Sequence, residues 1–92
     1  MNNSEIVSVL KTDLLISTRA QDDYLAHIVE LAQKCIETEG ITVEDNVEDG
    51  MLIERYAAYI YRTRREPAPM PRNLRWALNN RLFREKGAVT DG

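Results

Sequence analysis

Few side chains in this sequence carry the usual chemistry of an active site, and those that do stand apart from one another. His27 is the single histidine. On a helix its neighbours Asp23, Glu30 and Lys34 share its polar face, and no second histidine or cysteine lies at a chelating spacing, so a surface position is expected rather than general-base or metal work. Cys35, the single cysteine, falls in an apolar stripe without a CxxC partner and reads as a buried, inert thiol. The run Glu44-Asp45-Asn46-Val47-Glu48-Asp49-Gly50 puts Asp45, Asp49 and Gly50 at the first ligand, fifth ligand and glycine positions of a calcium loop. Val47 then occupies the third ligand position and Tyr56 the twelfth, where a bidentate glutamate is required. The run is therefore read as helix capping and solvated surface. The pairs Asp22/Asp23 and Glu48/Asp49 are adjacent in sequence, so a helix splays them by about 100° instead of pairing them for acid-base catalysis. No catalytic, cofactor-binding or metal-binding residue is assigned, and the chain is read as not an enzyme.

The second chemistry is that of the arginines. Arg62, Arg64, Arg65, Arg72, Arg75, Arg81 and Arg84, interleaved with Trp76 and tyrosines, have the groups to contact phosphates and stack on bases. A helix-turn-helix uses a turn of about three or four residues and presents one recognition face. Here the connection is rich in proline and the basic residues are spread around the last helix. A small arginine-rich DNA-binding regulatory protein is accordingly the alternative reading. The basic residues are also half of a charge split. Residues 1–53 carry three basic and eleven acidic groups, and residues 54–86 carry nine basic and three acidic, within a net charge of -3. The basic half can meet nucleic acid, its own acidic half, or the acidic half of a neighbouring copy, and the last of these permits a head-to-tail contact that closes into a ring.

These residues must be positioned by a small frame. A chain of 92 residues, 43% hydrophobic and 29% charged, has room for one domain with one core. That domain is read as residues 1–86, with 87–92 as a flexible tail. No apolar run approaches the roughly 18 residues of a membrane span, and Met1-Asn2-Asn3-Ser4-Glu5 lacks a secretory charge pattern, so an intracellular protein without a membrane partner is expected.

The periodicity predicts an all-α fold, a small bundle of about four helices. Ser4 to about Leu10 forms a short first helix, and Leu14-Leu15-Ile16 a buried connector. Thr18 and Gln21 make a capping-box pattern opening a helix that Gly40 stops. Tyr24, Leu25, Ile28, Val29, Leu31, Ala32, Cys35 and Ile36 form its apolar half, opposite Asp22, Asp23, His27, Glu30, Gln33, Lys34 and Glu37. After an extended piece at Ile41-Thr42-Val43, Glu44-Asp45-Asn46 offers an N-cap for a central helix from about Val47 to Arg65. A proline-rich elbow, Pro67 to Pro71, ends it and presets the angle to the last helix, with Pro71 in its first position. There Leu74, Ala77, Leu78 and Leu82 line one face while Trp76 and Phe83, seven residues apart, lie nearly opposite. A helix apolar on two faces satisfies only one of them against a small core.

In order and spacing, Val9-Leu10-Lys11 before Leu14, Ala20-Gln21-Asp22-Asp23-Tyr24-Leu25 opening the long helix with Ala32 and Ile36 inside it, Ala57-Ala58-Tyr59-Ile60-Tyr61, Arg64-Arg65-Glu66 and Met70-Pro71 before Leu74 and Leu78 resemble the head-tail connector (adaptor) family of tailed bacteriophages and prophages. The resemblance spans about residues 5 to 85. It implies a helical virion protein without enzymatic activity or cofactor, assembled in the host bacterial cytoplasm and placed at the head-tail junction. It further implies a ring, typically dodecameric, that binds the portal protein on one side and a downstream connector or tail protein on the other. Genomic DNA would pass through its channel without sequence-specific binding. The residues expected at its interfaces are Trp76 and Phe83 with Arg62, Arg64, Arg65, Arg72, Arg75 and Arg84, facing Asp22, Asp23 and Glu30 on the acidic helix of an adjacent subunit.

Overall fold

In a computed structural model the chain folds as four helices, α1 (Asn3–Asp13), α2 (Asp22–Thr38), α3 (Val47–Arg62) and α4 (Arg72–Thr90). The structure describes residues 1–90, with side chains as far as Gly87. The all-α reading holds, and among the described residues there is no strand. Of the segment read as a tail, residues 87–90 continue α4, and 91 and 92 lie outside the described residues.

α1 starts where a reciprocal cap satisfies two otherwise orphan amides: Glu5 N–H donates to Asn2 Oδ1 at 2.8 Å and Asn2 N–H to Glu5 Oε1 at 3.3 Å. Ile6 and Leu10, one helical turn apart, are its fully buried residues. Its end departs from the expected buried connector. Leu14 and Ile16 are half-buried against the core, whereas Leu15 is 91% exposed and takes the left-handed conformation at φ 59°. The reason is the terminus itself. Ile16 N–H reaches Lys11 C=O at 2.8 Å and Leu15 N–H reaches Thr12 C=O at 3.2 Å, the two bonds of a Schellman closure, whose left-handed position usually holds glycine.

α2 begins at Asp22, three residues later than the Thr18 cap predicts, and Gln21 occupies the cap position without a side-chain cap bond. Residues 18–21 instead form a bend and turn, with Asp22 N–H on Arg19 C=O at 3.1 Å. The Gln21 side chain is used elsewhere, accepting the Tyr61 hydroxyl at 2.8 Å and tying the start of α2 to the end of α3. Leu25, Ile28, Val29, Ala32 and Ile36 are buried as the periodicity requires. Tyr24 and Leu31, placed by the wheel in the same apolar half, are about half exposed, because the bundle covers a narrower arc than 180°. Gly40 ends the helix at φ 105°, where any Cβ would also lie 3.3 Å from Leu82 Cδ1.

α3 is the element on which the other three pack. Asn46 caps it, accepting Asp49 N–H at 2.7 Å, and Leu52, Ile53, Ala57 and Ala58 are buried. It stops at Arg62 rather than Arg65, as Thr63 turns its hydroxyl back onto Tyr59 C=O at 2.8 Å and competes with continuation of the helix. Across the elbow the Tyr59 hydroxyl donates to Ala68 C=O at 3.0 Å, and Met70 packs against the core. Pro71 lies just before α4, its carbonyl accepting Arg75 N–H at 3.0 Å. Leu74 and Leu78 bring α4 onto the bundle, joined by partly buried Ala77 and Leu82.

Candidate functional site

α4 has two apolar faces, and the bundle uses one. Leu74 and Leu78 are 3% and 0% exposed, while Trp76 and Phe83 are 69% and 78% exposed. Two turns separate these aromatic side chains, so they stand along one edge of the helix. Trp76 and Phe83 are thus available for contact, as the sequence suggests.

Four of the arginines meet the chain's own acidic half, one of the three possibilities that the charge split allows. Arg81 is drawn into the fold: its Nε and Nη2 donate to Asp49 Oδ1 and Oδ2 at 2.9 and 3.2 Å, and Nη2 also reaches Thr42 C=O at 2.8 Å. Asp49 is 2% exposed and also accepts Glu44 N–H at 2.9 Å. Burial alone would raise its carboxyl, but the Arg81 guanidinium and the Glu44 amide, with the charge of Arg84, hold it below its ordinary value. The same contact raises the Arg81 guanidinium. Nearer the surface, Arg75 pairs with Glu39 at 2.8 Å, Arg62 with Asp13 at 3.5 Å, and Arg84 with Glu48. The basic half therefore meets its own acidic half through four ion pairs. Arg64 lies over the Tyr61 ring, 3.7 Å from its centroid. Arg65 and Arg72 flank the elbow, exposed, with no ion pair among the described residues.

On α2, Asp22 is engaged by Lys11 at 2.7 Å, whereas Asp23 and Glu30 are exposed on the face that also carries His27. Cys35 is half-buried and unpaired, close to Tyr56, whose hydroxyl is pushed up to about 12 by burial and then by the neighbouring thiol. Among the described residues no group of three histidine, cysteine or acidic side chains is arranged to hold a metal ion, and no helix is long and apolar enough to cross a membrane.

Sequence reasoning missed Glu54. It is 3% exposed, and its Oε2 has no hydrogen-bond partner. Burial raises its carboxyl to about 7, a side-chain hydrogen bond to the Asp13 carboxyl and the charge of that group add to the effect, and Arg62 and Arg55 oppose it. Glu54 lines a groove of about 750 Å³ bounded by α1, α3, the elbow and the start of α4. A signal for it did exist in the sequence. Val47, Met51, Ala58 and Tyr61 recur around Glu54 at helical spacing, so a lone carboxylate sits within a second apolar line on α3.

Comparison with protein families, curated proteins and solved structures gives no match, so the geometry alone bears on what these surfaces do.

Proposed function

We propose that this protein is a structural assembly subunit, a head-tail connector (adaptor) of a tailed phage or prophage that forms a ring below a portal protein, extends the DNA channel and seats the next connector or tail protein. The observation that carries the reading is the aromatic edge of α4: Trp76 and Phe83 are exposed on a helix whose leucines already occupy the core. Aromatic side chains of this kind are enriched at the centres of protein interfaces. The sequence pattern supports the connector assignment, and the ring stoichiometry of the resemblance, a dodecamer, goes with it. Light scattering across concentration and salt tests it, with a discrete ring-sized species expected and a strict monomer counting against intrinsic assembly. Leu78→Ala is expected to lose about 2–5 kcal/mol of folding stability. Trp76→Ala is expected to change stability by less than about 0.5 kcal/mol and to weaken assembly. Equal loss of fold in the two variants would remove the two-faced reading of α4.

A second reading, a small DNA-binding regulator, is favoured by Arg64, Arg65 and Arg72 standing exposed around the elbow without acidic partners among the described residues. The internal pairing of Arg62, Arg75, Arg81 and Arg84 leaves it fewer free cations than the sequence suggests. It requires duplex affinity that falls steeply with salt; no duplex binding at low salt eliminates it.

A further inference from the structure

Two carboxyl groups joined by a hydrogen bond must hold a proton between them, because an ionised carboxylate only accepts. Glu54 is 3% exposed and is hydrogen-bonded to the carboxyl of Asp13, the last residue of α1. The ionisable side chains that line the groove with Glu54 are Asp13 from α1 and Arg55, Tyr59 and Arg62 from α3; α2, the elbow and α4 bring none among the described residues. Neither arginine completes the shell of Glu54, whose Oε2 has no donor. Arg55 is the next residue along α3, splayed by about 100°, and Arg62 reaches Asp13 at 3.5 Å. The Tyr59 hydroxyl is committed to Ala68 C=O. Asp13 is partly exposed and Glu54 is enclosed, so Glu54 keeps the proton and Asp13 the charge.

Loss of that proton sets two negative charges against each other, one of them cut off from water. The elements that carry them are not equally free to separate. Glu54 lies within α3, beside buried Ile53 and Ala57, on the helix against which the other three pack. Asp13 lies beyond Leu10, the last fully buried residue of α1, and the chain leaves it through Leu15, exposed and left-handed, and a stretch of turns and bends. We propose that the Asp13–Glu54 contact is a proton-operated latch, in which one proton between the two carboxyl groups clamps the last turn of α1 to α3, and its loss to solvent frees that turn while the rest of the bundle stays folded. Ile6 and Leu10 keep the first turns of α1 in the core, and the Lys11–Asp22 bridge at 2.7 Å leaves the freed end tied to α2. The groove between Thr12 on α1 and Met51 and Ala58 on α3 widens, and water reaches Glu54. With the Glu54 carboxyl at about 7 when packed and 4.5 when exposed, the latch is at full strength below 4.5 and is lost as pH rises through about 7. The device does not depend on assembly of the chain.

Amide hydrogen exchange of the full chain, corrected for the intrinsic rate at each pH and repeated across low urea concentrations, separates this motion from unfolding. The amides to follow are Leu14, bonded to Leu10 C=O at 2.9 Å, and Ile16, bonded to Lys11 C=O at 2.8 Å, with buried Ala57 and Ala58 of α3 as the reference. From about pH 5 to about pH 8 the protection of Leu14 and Ile16 is expected to fall at least about tenfold, through an opening with little urea dependence. Ala57 and Ala58 are expected to exchange only with the steep urea dependence of global unfolding. Glu54→Gln keeps a donor against Asp13 and cannot ionise, so it should remove the pH dependence. Asp13→Asn, at a partly exposed position, removes the like charge and should reduce it. The latch is overturned if the protection of Leu14 and Ile16 does not change with pH, which is ordinary fraying of a helix end. It is equally overturned if that protection changes but shares the urea dependence of Ala57 and Ala58, which is linkage to unfolding of the whole bundle. A change of the same size in Glu54→Gln would assign the proton to another group and also end the proposal.

Discussion

Asp49 and Glu54 stand five residues apart on α3, both nearly excluded from water, and they have opposite fates. Asp49 faces a guanidinium that binds both its oxygens, and a backbone amide completes its shell. Glu54 faces the Asp13 carboxyl, whose hydrogen bond and like charge both oppose its ionisation, and its Oε2 finds no donor. The first stays charged and ties α4 to the loop before α3. The second, hydrogen-bonded to the Asp13 carboxyl at the wall of a groove, holds its proton up to about pH 7. Burial by itself thus does not decide whether a carboxylate stabilises the fold; the completeness of its hydrogen-bond shell does.

The comparison is broken most directly from the Asp49 side. Arg81→Ala leaves a buried carboxylate without its counter-ion and is expected to cost about 3–5 kcal/mol in urea-induced unfolding at pH 7. A loss below about 1 kcal/mol, the range of surface pairs, would place Asp49 in effective contact with water and dissolve the contrast.

Glu54 provides the next test, and its sign is opposite. Its folded pKa of about 7 lies above the 4.5 of an exposed glutamate, so the folded state binds the proton more tightly. Stability from this group is complete below the unfolded pKa and is lost as pH rises through about 7. Glu54→Gln should then be nearly neutral at pH 4 and stabilising by about 2–3 kcal/mol at pH 8. A difference between variant and unaltered protein that does not change with pH would mean that Glu54 titrates as an ordinary surface carboxyl.

The smallest effect separates burial from charge at the same site. Asp13→Asn removes the like charge beside Glu54 and the partially exposed pair with Arg62. It should move the Glu54 titration, followed by carboxyl NMR, below about 7 while leaving it above 4.5, because burial is the larger cause. The net stability change is expected to stay within about 1 kcal/mol. A Glu54 titration at its ordinary value in this variant would assign the whole shift to Asp13.

What could be read along the chain was local. The Asn46 cap, the Gly40 stop and the inward leucines of α4 each depend on residues within about a turn of one another, and all are found in the structure. The Thr18 cap failed although its residues are equally close, because Gln21 was recruited by Tyr61, a residue 40 positions away. Leu15 followed the same logic in reverse. An apolar triplet reads as core, but the closure of α1 needed a left-handed residue there and turned that leucine to solvent. The expected interface set was divided in the same manner: Trp76 and Phe83 remain exposed, while Arg62, Arg75 and Arg84 find acidic partners 36 to 49 positions earlier in the same chain.

By itself the amino-acid sequence determined that this protein is a bundle of four helices, where most of them start, and that α4 carries one apolar face more than a small core can use. Those properties follow from periodicity, capping and proline geometry, which act over a few residues. Only the tertiary structure decided which charges are consumed within the molecule, that Asp49 is completed by Arg81, and that Glu54 is buried beside the Asp13 carboxyl. These depend on which side chains the packing of α1, α3 and α4 brings within about 3 Å of each other, the range of a hydrogen bond.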